Sequence, residues 1–308
     1  MKALLMRALL GTPALLLVAA CIPSRPTRTV RPEISVAPWT ERTVRSAQSC
    51  AEYRYLHLEG PEPGAPVLLL LPGGFYDARI YLNLKELAQR FEVYALDWPD
   101  SCAMYTGRVG DYGEIAADFL RAVGVSEIYL AGVSMGTYAA IDLASRKKEI
   151  RVRALVLFST VMFGIDEDEV ARRERMGRAG LMLGPEKTRA LIEVGVRKAK
   201  YEEAPGVPQS EIFWVRPYSY YYQLFSMTLN QGAKRQATRD IACPTLLVQG
   251  SEDDVMPVEW ARLSTSVFPD AEYVEEEGGA HSMIYSRGPK LARTVLDFFA
   301  RRAAPSPR

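Results

Sequence analysis

The chain has 308 residues, of which 48% are hydrophobic and 24% charged, and its formal net charge is +1. This is ordinary globular material with enough apolar residues for one sizeable core, with or without a smaller second domain, and the balanced charge gives no general attraction for nucleic acid or acidic partners. The two histidines and four cysteines form no CxxC pair and no HExxH helix, which excludes the usual zinc patterns.

The N-terminus is expected to lie outside the fold. Lys2 and Arg7 precede an apolar run too short to span a membrane, and small residues follow. Residues 1–20 therefore read as a signal peptide. Val18-Ala19-Ala20-Cys21 resembles a bacterial lipoprotein signal, in which Cys21 is lipidated and becomes the mature N-terminus. The expectation is an exported protein tethered to a membrane rather than spanning it. Ile22 at the next position would let it reach the outer membrane of a Gram-negative cell. Export permits disulfides. With Cys21 lipidated, Cys50 and Cys102 are the expected pair, a connectivity that spacing does not determine. Residues 21–45 are rich in Pro, Arg, Thr and Ser without any period and read as a tether, while 303–308 read as a frayed tail.

From residue 46 onward, short apolar runs alternate with helical patterns. The stretch CAEYRYLHLEG (50–60) alternates and suits an antiparallel strand at one sheet edge, with His57 a surface or half-buried member of it. Residues 67–71 form a continuous apolar run that ends at Pro72-Gly73-Gly74. A helix is expected over 81–91, a strand over 93–96, a helix over 115–123, a strand over 128–131, a helix over 138–145 and a strand over 154–158. The late elements are a strand over 245–248, a helix over 258–267, a strand over 272–274 and a helix over 291–301. Continuous apolar strands alternating with helices predict an α/β fold with a mostly parallel sheet covered on both faces. Residues 161–240 break this rhythm with charged helical material, too long for a plain loop, and are expected to form a small helical subdomain. Within it Tyr218, Tyr221 or Tyr222, and Phe225 fall on one helical face. They either pack the subdomain on the main body or wall an apolar substrate pocket.

Gly132-Val133-Ser134-Met135-Gly136 fits G-x-S-x-G. Alone the pattern is weak, but here it follows a buried strand and precedes a helix, the context it needs. On so sharp a turn the serine hydroxyl is exposed, its backbone is strained, and side chains two residues to either side would clash. The turn also aims the Met135 amide at the reacting carbon, close to the positive end of the following helix. A serine needs a neighbour to take its proton. His281, in a Gly-rich loop after the last strand, is the candidate base, since His57 lies within a strand pattern. The base in turn needs an orienting carboxylate, and Glu252, Asp253 and Asp254 all lie just past the strand that ends near Gly250.

The order serine, acid, histidine, each past the C-terminal end of a strand, resembles the α/β-hydrolase fold family over about residues 67–301. The family places its acid three residues after a glycine and four before a proline. Gly250, Asp253 and Pro257 match, so the resemblance implies Asp253, with Asp254 second. It also implies an oxyanion loop after the first core strand, here Leu71-Pro72-Gly73-Gly74-Phe75, in which Gly74 or Phe75 donates the second amide beside Met135. Proline stands there where histidine is usual. Residues 46–302 would form one hydrolase domain, with 161–240 as its helical cap. After the next strand many members carry Asp-x-x-Gly-x-Gly, whereas this chain has Asp97-Trp98-Pro99-Asp100-Ser101-Cys102. A serine nucleophile also separates it from the dehalogenase and epoxide hydrolase branches, which use aspartate. The implied function is a serine hydrolase, first of all a carboxylesterase acting on small or medium esters through a Ser134-His281-Asp253 triad and an acyl-enzyme. The alternatives are an aminopeptidase or amidase, a C–C bond hydrolase, or a non-catalytic binding domain on the same scaffold. The implied partner is a small acyl substrate, with no cofactor, no metal and no nucleic acid, and with membrane contact only through a lipid on Cys21.

Overall fold

The computed structural model describes residues 30–49, 51–74, 76–99, 112–146, 149–160 and 237–302, together with scattered positions between 168 and 216. Its strands are β1 (Thr40–Arg45), β2 (Glu52–Leu58), β3 (Val67–Leu71), β4 (Glu92–Leu96), β5 (Glu127–Val133), β6 (Arg151–Phe158), β7 (Thr245–Gly250) and β8 (Ala271–Glu276). The longer α-helices are α1 (Tyr112–Ala122), α2 (Gly136–Arg146), α3 (Val258–Ser264) and α4 (Gly288–Arg302). The strands form one eight-stranded sheet in the order β1-β2-β4-β3-β5-β6-β7-β8. β2 runs antiparallel to both its neighbours, and every other pairing is parallel.

Strand parity divides the core into two layers. Leu69 and Leu71 of β3 face one side, where Leu130, Leu155 and Leu247 meet Ile115 and Phe119 of α1 and Tyr138 of α2. Leu68 and Leu70 face the other, where Val93, Val156 and Val248 meet Leu84 and, from α4, Leu291, Val295 and Phe299. Because both faces are covered, β3 is apolar throughout instead of alternating. Each such side chain, fully buried, contributes about 1.5–3 kcal/mol. In α4 the buried residues recur at i, i+4, i+7 and i+8, the stripe that a helix lying on a sheet requires.

Three expectations change. The polar stretch 40–45, read as the end of a tether, is instead the edge strand. Its side chains are exposed apart from a half-buried Val44, so backbone pairing with β2 holds it, from Thr40 opposite His57 to Arg45 opposite Glu52. Trp39, buried just before it, donates its indole N–H to the Leu82 carbonyl at 3.1 Å. β2 is consequently not the edge. It lies between β1 and β4, and this buries His57, whose Nε2 lies 2.9 Å from Glu92 Oε1. The helix expected over 81–91 is a 3-10 segment, Ala78–Gln89, which begins where the Asp77 carboxylate accepts from the Arg79 amide and which kinks at Leu84.

Of the inserted stretch, Gln209–Ile212 forms a helical turn, and most other positions lie outside the described residues, as do Cys21, Cys50, Cys102 and the tail 303–308. Cys243 is buried as a free thiol. No helix among the described residues is long and apolar enough to cross a membrane.

Candidate active site

β5 ends at Val133 and α2 begins at Gly136, so the chain reverses across Ser134 and Met135. Ser134 takes φ 51°, a left-handed conformation that costs an L-residue on the order of 1 kcal/mol or more. Close approach accounts for the flanking glycines. A Cβ on Gly136 would lie 2.2 Å from the Leu71 carbonyl oxygen and 2.6 Å from that of Pro72, and one on Gly132 would lie 2.7 Å from the Gly136 oxygen. The Ser134 amide is already used, donating to the Phe158 carbonyl at 2.9 Å. The Met135 amide donates to no group among the described residues.

The loops after β7 and β8 bring up the acid and the histidine. His281 Nε2 lies 3.0 Å from Ser134 Oγ, and its Nδ1 lies 2.9 and 3.0 Å from the two Asp253 oxygens. The two loops meet backbone to backbone. The Glu252 amide donates to the Gly279 carbonyl at 2.9 Å, and a Cβ on Gly250 would lie 2.1 Å from that same oxygen. Acid and base are therefore carried on one joined unit.

Asp253 is wholly enclosed, while the His281 side chain keeps about 20% of its surface open. Oδ1 of Asp253 accepts from the amides of Val255 and Met256 at 3.0 and 2.8 Å, and Oδ2 accepts from Gln249 Nε2 at 2.8 Å. Burial pushes this carboxyl upward, but the His281 imidazole and the two amides outweigh it and hold it below the usual carboxylate range. Glu252 and Asp254, the other two acids of the run, are exposed.

The turn after β3 lies against the serine, with a Cβ on Gly73 falling 3.3 Å from Ser134 Cβ. The Tyr81 hydroxyl donates to the Leu71 carbonyl at 2.5 Å, and the Trp98 indole to the Pro72 carbonyl at 2.9 Å. Gly74 follows in this turn. Phe75, like Tyr218, Tyr222 and Phe225, lies outside the described residues.

Behind the turn, a buried cluster of charges joins distant segments. Asp77 accepts from Arg79 Nε and Nη2, from Arg31 Nε at 3.3 Å and from Trp214 Nε1 at 3.1 Å. Burial opposes the charge on Asp77, yet Arg79, Arg31 and Arg216 together hold it below its ordinary range. Arg216 Nη2 donates to Asp97 Oδ1 at 2.8 Å. Burial pushes the Asp97 carboxyl up to about 6, against the pull of Arg216.

Several supporting residues were not singled out by sequence reasoning. Gln249 was visible as the one amide side chain in the buried run TLLVQG. Ser159, at the tip of β6, takes φ 44° and donates its hydroxyl to the His281 carbonyl at 3.0 Å, and nothing in its local sequence signals this. Chemically, the arrangement joins a hydroxyl, a base that can accept its proton, a carboxylate that fixes the base, and, beside the hydroxyl, an amide with no acceptor among the described residues. Among the described residues no group of His, Cys, Asp and Glu is placed to hold a metal ion.

A family model described as the alpha/beta hydrolase family matches residues 68–294. A monoacylglycerol lipase of Xenopus laevis is 20% identical over 274 residues, spanning 82% of this chain and 81% of its own. Among solved structures, a membrane phospholipase A described as a bacterial virulence factor superposes with a TM-score of 0.64 at 21% identity, covering 97% of this chain and 96% of its own. The enol-lactonase of Burkholderia xenovorans superposes with a TM-score of 0.66 at 18% identity, covering 85% and 100%. At these identities, the structural likeness establishes a shared fold.

Proposed function

The chain belongs to the alpha/beta hydrolase family and is a hydrolase; from that premise we propose that it is a serine carboxylesterase that cleaves small or medium acyl esters. The observation that carries the proposal is the unbroken hydrogen-bonded line from Asp253 through His281 to Ser134 Oγ. Ser134 Oγ attacks the ester carbonyl carbon while His281 Nε2 takes its proton. The carbonyl oxygen becomes an oxyanion facing the Met135 amide, with the Gly74–Phe75 stretch supplying the second donor. When the C–O bond breaks, the His281 proton passes to the departing alkoxide and leaves an acyl ester on Ser134. Water then attacks that ester with His281 again as base, and the acid and free Ser134 are released. Asp253 keeps the proton on Nδ1, so that Nε2 faces the hydroxyl as an acceptor. An ester bond is favoured over an amide because the lipase, phospholipase and lactonase named above all carry ester-cleaving names.

The test pairs turnover of p-nitrophenyl acyl esters with turnover of aminoacyl anilides, alongside fluorophosphonate labelling and peptide mapping. Ester cleavage with label on Ser134, lost in His281→Ala, is expected. Anilide cleavage in preference to esters would replace the esterase with a peptidase or amidase. An unlabelled Ser134 in folded protein would remove the acyl-enzyme.

The elbow glycine provides a further check. In Gly136→Ala the new methyl meets two backbone carbonyls that cannot rotate away, so the turn after β3 must shift. A displacement near 1 Å is expected to lower kcat about 10²-fold. Near-normal ester turnover in this variant would mean that the turn is not aimed at the reacting carbonyl.

The proposal includes a lipid on Cys21, supported by the small residues directly before it. Cys21→Ser is expected to move the activity from the membrane fraction to the soluble fraction. Unchanged membrane association would remove the lipid from the proposal.

A further inference from the structure

No step of the proposed reaction uses Asp97 or Trp98, yet both have buried partners far away in sequence. The Trp98 indole holds the Pro72 carbonyl at 2.9 Å, at the start of the turn that leads to Gly73 and Gly74. Its ring also meets Tyr112 edge to face, with centroids 4.7 Å apart. The Trp98 carbonyl accepts from Arg216 Nη2 at 2.9 Å, and the same nitrogen donates to Asp97 Oδ1 at 2.8 Å. Arg216 comes from the inserted stretch, 118 positions beyond Trp98. A second tie runs from the same stretch to the other end of the turn: Trp214 Nε1 donates to Asp77, and Arg79, which also grips Asp77, donates to the Ile212 carbonyl at 3.1 Å.

The side chains of Arg216 and Asp97 are each only 3% exposed. Taking both charges out of water is costly, and an apolar pair could fill the same space without that cost. What the ion pair contributes instead is one fixed arrangement: a single guanidinium nitrogen ties the carboxylate and the carbonyl on either side of the Asp97–Trp98 peptide.

We propose that Arg216 is a positioning residue for the oxyanion turn: by clamping Asp97 and the Trp98 carbonyl, it fixes the indole that anchors Pro72 and so holds the turn in its aim. This rests on the serine-hydrolase reading. In this reading Arg216 acts on the turn through Trp98.

The test uses the full-length chain with Arg216→Met, Trp98→Phe, the double variant and Arg216→Lys. Ester turnover and fluorophosphonate labelling of the unaltered protein come first, since their absence sinks the proposed function itself rather than this inference. Given an active parent, each of Arg216→Met and Trp98→Phe is expected to lower kcat about tenfold with KM within about twofold, less than the loss from deleting a donor outright. Binding of a trifluoromethyl ketone, which forms a tetrahedral adduct on the serine, is expected to weaken by the same factor as kcat. Because both substitutions cut one chain of contacts, the double variant is expected to be no slower than Trp98→Phe alone, and Arg216→Lys to recover part of the loss.

Unchanged kcat, a change in KM alone, or single effects that multiply in the double variant would each overturn the proposal. So would ketone affinity that does not follow kcat. Melting temperatures measured in parallel separate lost folding from lost aim. If Arg216→Met does not fold, Trp98→Phe keeps a ring at that position, and with Arg216→Lys it still decides the question.

Discussion

Ser134→Ala is expected to lower kcat for ester hydrolysis by about 10⁶-fold without unfolding the protein. The size follows from what one oxygen does in the proposed reaction: it forms the new C–O bond, and its proton goes to His281 Nε2, which lies 3.0 Å away. Substrate binding survives the change, so KM should move little. The same position tests the strain of the elbow. Ser134→Gly removes the hydroxyl as well, but it relieves the φ of 51°, and it should be more stable than Ser134→Ala by about 1 kcal/mol. Steady-state rates and thermal melts of the two variants, measured side by side, separate chemistry from backbone strain. Residual turnover above about one per cent in Ser134→Ala, with a contaminating esterase excluded, would rule out Ser134 as the nucleophile.

Asp253→Asn is expected to lower kcat about 10⁴-fold, although the substituted side chain has nearly the same shape. The reason lies in the polarity of the partners. Every group around Asp253 donates: the Val255 and Met256 amides, Gln249 Nε2 and His281 Nδ1. Asparagine offers one acceptor oxygen and one NH₂ group. If its oxygen stays with the two amides, the NH₂ faces Gln249 and His281. Gln249 could turn its amide to accept, since its Oε1 has no partner among the described residues, but Nε2 would then lose the Met256 carbonyl it holds at 2.7 Å. His281 would accept at Nδ1 and carry its proton on Nε2, pointing N–H at the hydroxyl it should deprotonate. Rates measured across pH, with a fold check, decide the matter. A loss smaller than tenfold would show that Asp253 does not set the tautomer.

Legibility in the sequence followed the physics of each segment. β3 and the central parts of β5 to β7 were readable because a strand covered on both faces reads as a near-continuous apolar run. The elbow was readable because two glycines at fixed offsets are a steric necessity there. His281 stood out because only two histidines exist and the other lies in a strand. β1 was not readable: TERTVR buries almost nothing, and its stability comes from backbone hydrogen bonds that any residues can make. The burial of His57 depended on β1 and was misjudged with it. The 3-10 character of Ala78–Gln89 is set by the Asp77 cap and the kink at Leu84, features that periodicity does not carry. Trp214 with Asp77 and Arg216 with Asp97 are pairings across more than a hundred positions, invisible to local pattern. The Asp97-Trp98 stretch registered only as a departure from the family's habit.

Arg31 limits how far the body can stand from Cys21. Its guanidinium is fastened to Asp77 and to Glu41, and Asp77 lies three residues past Gly74. Ten positions separate Arg31 from Cys21, and fully stretched they reach about 35 Å, roughly the thickness of a bilayer. With a lipid on Cys21, those residues would be a short leash knotted beside the acyl-transfer centre rather than at the far end of the sheet. The enzyme could then sample only a shallow layer above its own membrane, and apolar esters would reach it by lateral diffusion within the lipid, at a concentration set by the bilayer and not by the surrounding water.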